Sequence, residues 1–507
     1  MLTQHMTNRL AIFITLSLIT TVGLLKSLTV LGGDQSLFVV IAQLLDAGKI
    51  LYKDLFDYKQ PGVYLFYLAA GKLIGWGDIE IHLFELGYWL LFTVILIYSL
   101  KDYQFFRANY FHALLPLFIV GVYYCNATFF HLTQLEALIN FPLFLIVWLL
   151  DRVYKTEQHV FITYLAIGFL IGIVILCKLV FAPIIFSFLV IHFTFTIKYK
   201  SFIHIIKKQL PPLMLGFMLP VSVFIGYIIH FQIEHLIVDI FFKIPASVIG
   251  LTDQINPNRL YLSIAWFGRK MVLLALLATI GVFITPKKEL HLFGMIIAWG
   301  IVGLWVILMQ KTSWWSYHFQ LLYVPIGFFA AVGLDFVLYH VLLAINLRKP
   351  LVTSVVVVAF LAMAFDNQYS ALKQGFASTN YTKLDSFDYA KDDATNIIPI
   401  IKPEDSIFIC GNPRMYVLTS HLPELSTNGW ILEYYLDFQW ENFYREFRQK
   451  PPTYLFVKND YDRLIETKSE QLWKFILDEY QEIDTVENGK WYKKISSLRQ
   501  ISSVSAE

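Results

Sequence analysis

Eleven apolar runs decide what this chain can become. They lie near residues 10–30, 82–100, 111–127, 136–151, 160–177, 180–197, 211–231, 270–285, 291–309, 319–341 and 350–365. Each is about long enough to carry a helix across a hydrocarbon layer roughly 30 Å thick. No water is available inside lipid to bond backbone amides, so a spanning run must satisfy them internally. With 57% hydrophobic residues among 507 and a mean hydropathy of +0.57, too little polar surface remains for a soluble protein of several domains. The expected fold class is an all-α polytopic membrane bundle of about eleven transmembrane helices. The first run is too long for a removed signal peptide and lacks a small-residue cleavage site, so it reads as an uncleaved anchor.

Charge orients the bundle. Alternate connections carry Arg9; Lys101 and Arg107; Arg152 and Lys155; Lys198, Lys200, Lys207 and Lys208; Lys287 and Lys288; Arg348 and Lys349. By the positive-inside rule this set is cytoplasmic, which turns the loop after the first run, and everything after the last, outward. Lys26, Glu85, Glu136 and Lys178 fall near the outward ends of their runs. A charge at a helix centre costs about 2.5–3.5 kcal/mol on insertion scales, so a one-sided set points to a polar cavity open on that side. A net charge of +2 gives no case for nucleic acid as a partner. Cys125, Cys177 and Cys410 are too few and scattered for a disulfide framework or a thiolate metal site.

From about residue 366 charges become frequent and apolar runs shorten to strand length. The expected division is a membrane domain over 1–365, with its first outer loop at 31–80, and a small soluble α/β domain over 366–507. Helices are expected at 385–400, 432–449 and 469–480, with strands at 407–410, 454–457 and 491–495. Gly411 stands alone, without the glycine-rich loop that cradles a nucleotide phosphate. The last dozen residues are expected to be disordered.

The first outer loop carries the chemistry. Gly32 and Gly33 allow a sharp turn that presents Asp34. Residues 36–47 form an apolar helix too short to span, ended by Gly48. The segment YKDLFDYKQPG then brings Asp54, Asp57 and Lys59 before a turn at Pro61-Gly62, and a second short helix is expected over 63–74, including Tyr64. A carboxylate with cations near it suits removal of a proton from an acceptor hydroxyl while a phosphate leaves a sugar carbon. That leaving group is already a stable anion, and its charge calls for Lys, Arg, His or a metal. Candidates on other outward connections are His131, Glu136, Lys178, Arg259 and the run QKTSWWSYHFQ with Lys311, Tyr317 and His318. No Walker motif accompanies them, which favours a lipid-linked donor over a nucleotide sugar.

Each candidate also has a plain structural reading. Asp34 can be a helix N-cap; Asp54 and Asp57 can solvate the loop or pair with Lys53 or Lys59. Lys178 can anchor a helix end unless Glu136 lies close. Arg259 and Lys311 can bind lipid head groups, and Tyr317 and His318 can belong to an aromatic belt.

An Asp one loop beyond the first run, followed by Gly48, Tyr52, Asp54, Lys59, Pro61 and Gly62, resembles the polytopic GT-C glycosyltransferases. That superfamily includes protein O-mannosyltransferases, lipid A aminoarabinose transferases and many bacterial relatives. The spans, the late Lys-Tyr-His segment and the small outer C-terminal domain are similar as well. The resemblance implies a polyprenyl-phosphate-linked sugar as donor, a hydroxyl on a lipid, glycan or protein as acceptor, and Asp34 as the match to the catalytic carboxylate. Read from the residues themselves, Lys59, Lys178, Arg259, Lys311 and His318 are candidates for the donor phosphate, and Asp54, Asp57, Tyr64, Glu136 and Tyr317 are candidates for substrate binding. Gln35 departs from the Asp-Glu pair common in the superfamily. A divalent metal ion is left open and no other cofactor is assigned. The expected location is the cell (inner) membrane, multi-pass, with the C-terminal domain extracytoplasmic. A membrane acyltransferase, a polysaccharide polymerase and a transporter for envelope glycans remain as alternatives; a transporter should show internal repeats and polar breaks near mid-membrane, which this sequence does not display.

Overall fold

Nine helices among the described residues are long and apolar enough to cross a membrane: Thr7–Lys26, Asp78–Leu100, Leu135–Thr156, Val160–Cys177, Leu179–Ile197, Phe202–Phe231, Pro257–Phe283, Lys287–Met309 and Ser316–His340. The structure, a computed structural model, describes residues 2–244, 246–247, 257–310, 314–345, 354–363 and 389–495. The nine coincide with nine of the eleven apolar runs. The run at 111–127 forms the shorter helix Phe111–Asn126. Within it the ladder slips into a π-helical stretch at Leu117–Gly121, directly after Pro116, which has no N–H to donate. The last run appears as Ser354–Met363. The expected boundary at 366 and the expected disorder of the last dozen residues both fall outside the described residues.

By its contacts the chain divides into two units. One comprises Met1–Thr29, Gly77–Tyr227 and Thr252–Asp385; the other comprises Val30–Trp76, Ile228–Leu251 and Ser386–Glu507.

The first unit holds most of the apolar helices, and its tightest crossings are made by glycine. A Cβ on Gly168 would lie 2.0 Å from the Leu213 carbonyl oxygen, and one on Gly216 the same distance from that of Leu165. Gly281 and Gly333 repeat the arrangement, each 2.0 Å from a carbonyl oxygen, of Phe329 and Leu277 respectively. Lipid tails are as apolar as leucine, so helices there associate by close packing, and small residues let backbones touch. Gly333→Val is expected to lower stability by about 1–3 kcal/mol, the usual cost of forcing extra carbons into a packed contact. Gly87, whose Cβ would meet nothing within 4 Å, should accept alanine without loss. Thermal unfolding of both variants in detergent checks the contrast; equal midpoints would mean the crossing is not close-packed.

The second unit joins the first loop to the tail. Helix Gly33–Asp46 packs on helix Gly62–Leu73, with Phe38 set edge-on to Tyr64 and Tyr67 at ring separations of 5.9 and 5.3 Å. Gly48 takes φ +79° just past the end of the first helix, where the Lys49 N–H bonds the Leu44 carbonyl at 2.9 Å. The tail forms a four-stranded mixed sheet from β1 (Ile407–Cys410), β2 (Tyr454–Lys458), β3 (Tyr480–Val486) and β4 (Gly489–Lys494), in the order β1-β2-β4-β3. β1 and β2 run parallel with Ile407 opposite Tyr454; the remaining pairs are antiparallel. The unbroken apolar strings IFIC and YLFV suit the buried parallel pair.

Three expectations for the tail change. The helix expected over 432–449 is two pieces, a 3₁₀ turn at Leu432–Tyr434 and an α-helix at Asp437–Gln449, because Tyr435 and Leu436 are extended. Of the helix expected over 385–400, residues 385–388 lie outside the described residues; Tyr389–Ala394 is helical and 395–400 forms turns. Strand β3 and helix Tyr461–Lys468 were not anticipated: β3 is a polar edge strand that exposes Gln481 and Glu482, so it carries no apolar signature.

The tail's core is formed by Phe408, Trp440, Phe443, Phe447, Leu455 and Leu472, among others, with Phe56 and Tyr58 of the first loop packed against it. Phe56 lies edge-on to Tyr435 at 5.6 Å, and Tyr58 edge-on to Tyr434 at 6.2 Å. The Phe56 N–H also donates to the Ser426 carbonyl at 2.7 Å. Aromatic side chains of the first loop thus help to complete the core of a sheet that lies some 350 residues later, counting from Phe56 to Ile407.

Candidate functional site

Helix Gly33–Asp46 begins two residues earlier than an Asp34 cap would require. Gly32 is the capping position, extended at φ −71° and ψ −177°, and no side chain caps the helix. Asp34 therefore sits in the first helical turn, where the helix N-terminus favours negative charge. One of its oxygens accepts a hydrogen bond from the Trp430 indole Nε1 at 2.9 Å. The N-cap reading of Asp34 is thereby corrected. Its side chain is half-buried.

Phe38 lies one helical turn beyond Asp34, on the same face. The Lys59 Nζ stands 5.0 Å from the Phe38 ring centre and 5.7 Å from that of Tyr58. Lys59 also pairs with Asp57 at 3.7 Å. Asp57 is fully buried, so it does not solvate the loop as one reading expected. It accepts the Tyr58 N–H at 2.8 Å and the Tyr64 hydroxyl at 2.7 Å. Tyr64, also fully buried, thus supports Asp57 from inside. Asp54 accepts the Ile50 N–H at 2.7 Å, a bond that folds its own turn. Burial, followed by the charge of Asp57 and then the Tyr434, Glu433 and Asp34 neighbours, holds the Tyr58 phenol well above its usual range, so it remains a neutral hydroxyl.

The first unit gathers a second set of candidates. Lys178 terminates helix Val160–Cys177, and its Nζ reaches Glu136 Oε1 at 2.6 Å and Gln310 Oε1 at 3.1 Å. His318 Nε2 lies 3.7 Å from the same Glu136 oxygen. The condition that raised Lys178 above a simple anchor, proximity to Glu136, is met. Tyr317 stands edge-on to His318 with ring centres 4.7 Å apart. Arg259 lays its guanidinium over Trp315 at 4.0 Å. Lys311 lies outside the described residues. His131 bonds Ser316 Oγ at 2.9 Å and Thr128 Oγ1 at 2.7 Å, and stacks on Trp266 at 4.2 Å. Burial, helped by the positive charges of Lys26 and Lys270, pushes its pKa down to about 3, which keeps the ring neutral at physiological pH.

Two buried polar groupings gave no motif in the sequence. Glu85 accepts from Tyr123, from the Thr133 N–H at 2.8 Å and from the Trp89 indole at 3.3 Å, which pins helix Asp78–Leu100 to the loop at 127–134. Asp151, His291, His192 and Tyr164 form a chain with successive separations of 2.9, 3.1 and 2.6 Å. Trp430 was also missed, since a lone Trp in a soluble tail carries no signal for a partner 396 positions away. Among the described residues, no group of three or more His, Cys, Asp or Glu is placed to hold a metal ion. With Gln35 beside it, Asp34 has no carboxylate neighbour in sequence to share one.

No protein-family model matches the sequence, and no curated protein matches it. Among solved structures, the chain is similar to ArnT from Cupriavidus metallidurans, solved bound to undecaprenyl phosphate. The TM-score is 0.61 at 13% identity, covering 95% of this chain and 97% of that one. The archaeal oligosaccharyltransferase AglB from Archaeoglobus fulgidus, solved with an inhibitory peptide and a dolichol-phosphate, aligns at 13% identity over 92% of this chain and 72% of that one, with a TM-score of 0.48. The ArnT match shows that the chain shares the fold of that protein over nearly the whole length of both.

Proposed function

We propose, from the GT-C fold and the surroundings of Asp34, that this multi-pass membrane protein is a glycosyltransferase that moves a sugar from a polyprenyl-phosphate donor to a hydroxyl acceptor. The observation that carries the reading is the cluster at the start of helix Gly33–Asp46: a half-buried carboxylate held by an indole N–H, with the Lys59 ammonium over Phe38 one turn away. Fold likeness alone does not imply chemistry; this cluster supplies a base and a cation side by side. Undecaprenyl phosphate in the ArnT structure supports a lipid-linked donor. The basic connections support an outward-facing loop and tail in the cell membrane.

Asp34 takes the proton of the acceptor hydroxyl as the acceptor oxygen bonds to the anomeric carbon. The bond from that carbon to the phosphate oxygen breaks, and polyprenyl phosphate leaves as an anion. Lys59 offsets its charge in a setting drier than bulk water. A single displacement of this kind inverts the anomeric carbon. Lys178 with Glu136 and His318, together with Arg259, remain candidate phosphate contacts of the first unit.

The direct test uses purified protein in detergent, a panel of polyprenyl-phosphate sugars and membrane extract as acceptor, with release of polyprenyl phosphate as the readout. Release dependent on Asp34 supports the proposal. Folded wild-type protein that releases nothing from any donor overturns it in favour of acyl transfer, polymerisation or transport. In the same assay Lys59→Gln is expected to lower kcat by about 10²-fold, the scale for losing one group that stabilises developing charge. A change in KM alone would mean Lys59 serves binding rather than departure of the phosphate.

A further inference from the structure

The proposed base is held by a residue from the far end of the chain. The Trp430 indole N–H donates to Asp34 Oδ1 at 2.9 Å. Beneath the ring is Gly33, where a Cβ would lie 2.5 Å from a ring carbon, so the indole occupies space that only glycine leaves. The Trp430 backbone is fixed as well: its N–H donates to Asn428 Oδ1 at 3.1 Å, and its carbonyl accepts the Tyr461 hydroxyl at 3.4 Å.

The segment leading to Trp430 is tied on both sides. The Ser426 N–H, the Ser426 hydroxyl and the Thr427 hydroxyl all donate to the Glu446 carboxylate, at 2.6, 3.0 and 3.2 Å. Asn428 donates its N–H to the Tyr435 hydroxyl at 2.7 Å, and the Ser426 carbonyl accepts the Phe56 N–H at 2.7 Å. These bonds run from helix Asp437–Gln449, through the loop at 426–430, to the first loop. A simple packing role would need the ring but neither its N–H nor this bracing. An indole has one donor in one direction, and a donor fixed on one carboxylate oxygen sets the plane of the carboxylate and the aim of the other oxygen.

We infer that Trp430 is the positioning residue for Asp34, by which the C-terminal sheet domain sets the geometry of the proposed base. The inference rests on the assignment of Asp34 as base. It gives the tail a part in the reaction, because a base misplaced by about 1 Å can lose on the order of 10²-fold in rate.

Trp430→Phe keeps an aromatic ring against Gly33 and removes only the N–H. It is expected to lower kcat for polyprenyl-phosphate release about 10- to 100-fold, with KM for donor and acceptor essentially unchanged. Trp473→Phe, the same exchange at another indole packed on this core, should change neither constant. Gly33→Ala keeps the N–H but pushes the ring aside, so it should lower kcat in the same way, and it decides the matter if Trp430→Phe does not fold. Unchanged kcat per folded molecule in Trp430→Phe, or in Gly33→Ala if that variant alone folds, overturns the positioning role. Should Asp34→Asn remain fully active, the assignment of the base fails instead, and the two failures are told apart by that single variant.

Discussion

Asp34→Asn is expected to lower sugar transfer by about 10²–10⁴-fold, the range that a positioned general base supplies, in protein that still folds. Asparagine has nearly the shape of aspartate, and its amide oxygen can still accept the Trp430 N–H that Asp34 Oδ1 accepts at 2.9 Å. What it cannot do is take a proton from an acceptor hydroxyl. The stability effect is small by comparison. A negative charge in the first turn of a helix is worth about 0.3–1 kcal/mol, and the capping position of this helix is Gly32 rather than Asp34. A single-turnover assay of polyprenyl-phosphate release, read beside a thermal unfolding curve in the same detergent, separates the two effects. Transfer within about twofold of wild type in folded Asp34→Asn would remove Asp34 from the mechanism.

The second large effect is on stability. Glu136→Ala is expected to cost about 3 kcal/mol, toward the lower end of the range for breaking a buried ion pair by deleting one partner. Glu136 is buried with 3% side-chain exposure, whereas Lys178 retains 25%, so the abandoned ammonium can recover part of its hydration. It would keep the Gln310 oxygen at 3.1 Å, and His318 would lose the carboxylate 3.7 Å away. Glu136→Gln, which preserves shape and an acceptor oxygen, should cost less. The pair Glu136→Gln with Lys178→Met should recover stability relative to Glu136→Ala, because no buried charge is left without its counterion. Thermal unfolding of the three variants checks the order. If Glu136→Ala melts with wild type, the pair does not hold the ends of its helices together, and the case for a mobile, ligand-seeking Lys178 becomes stronger.

These expectations differ in how they could be read. Asp34 was legible as a candidate because it follows an apolar run and a Gly-Gly turn, all within a few residues. The same stretch did not reveal that Asp57 is buried. Seven residues separate Asp57 from Tyr64, yet their hydrogen bond forms only because the Pro61-Gly62 turn starts a helix that brings Tyr64 back toward the loop. In the tail, IFIC and YLFV announced strands by their unbroken apolar character, but β3 is half polar and lies at the sheet edge with only Tyr480 buried, so its strand conformation came from pairing with β4. The interruption at Tyr435 and Leu436 was equally silent: the Tyr435 hydroxyl receives the Asn428 N–H, and Leu436 is the extended cap of helix Asp437–Gln449.

The sequence by itself determined the membrane bundle. A run of about twenty apolar residues has no alternative to a helix in lipid, whatever its neighbours are, and the basic connections bias the orientation through charge alone. Tertiary structure decided which charges meet. The bonds between Trp430 and Asp34, Lys178 and Glu136, and Phe56 and Ser426 join residues 396, 42 and 370 positions apart. Hydrogen bonds and ion pairs act over a few ångströms and depend on direction, so no local pattern encodes them; they exist only once packing has brought the partners together.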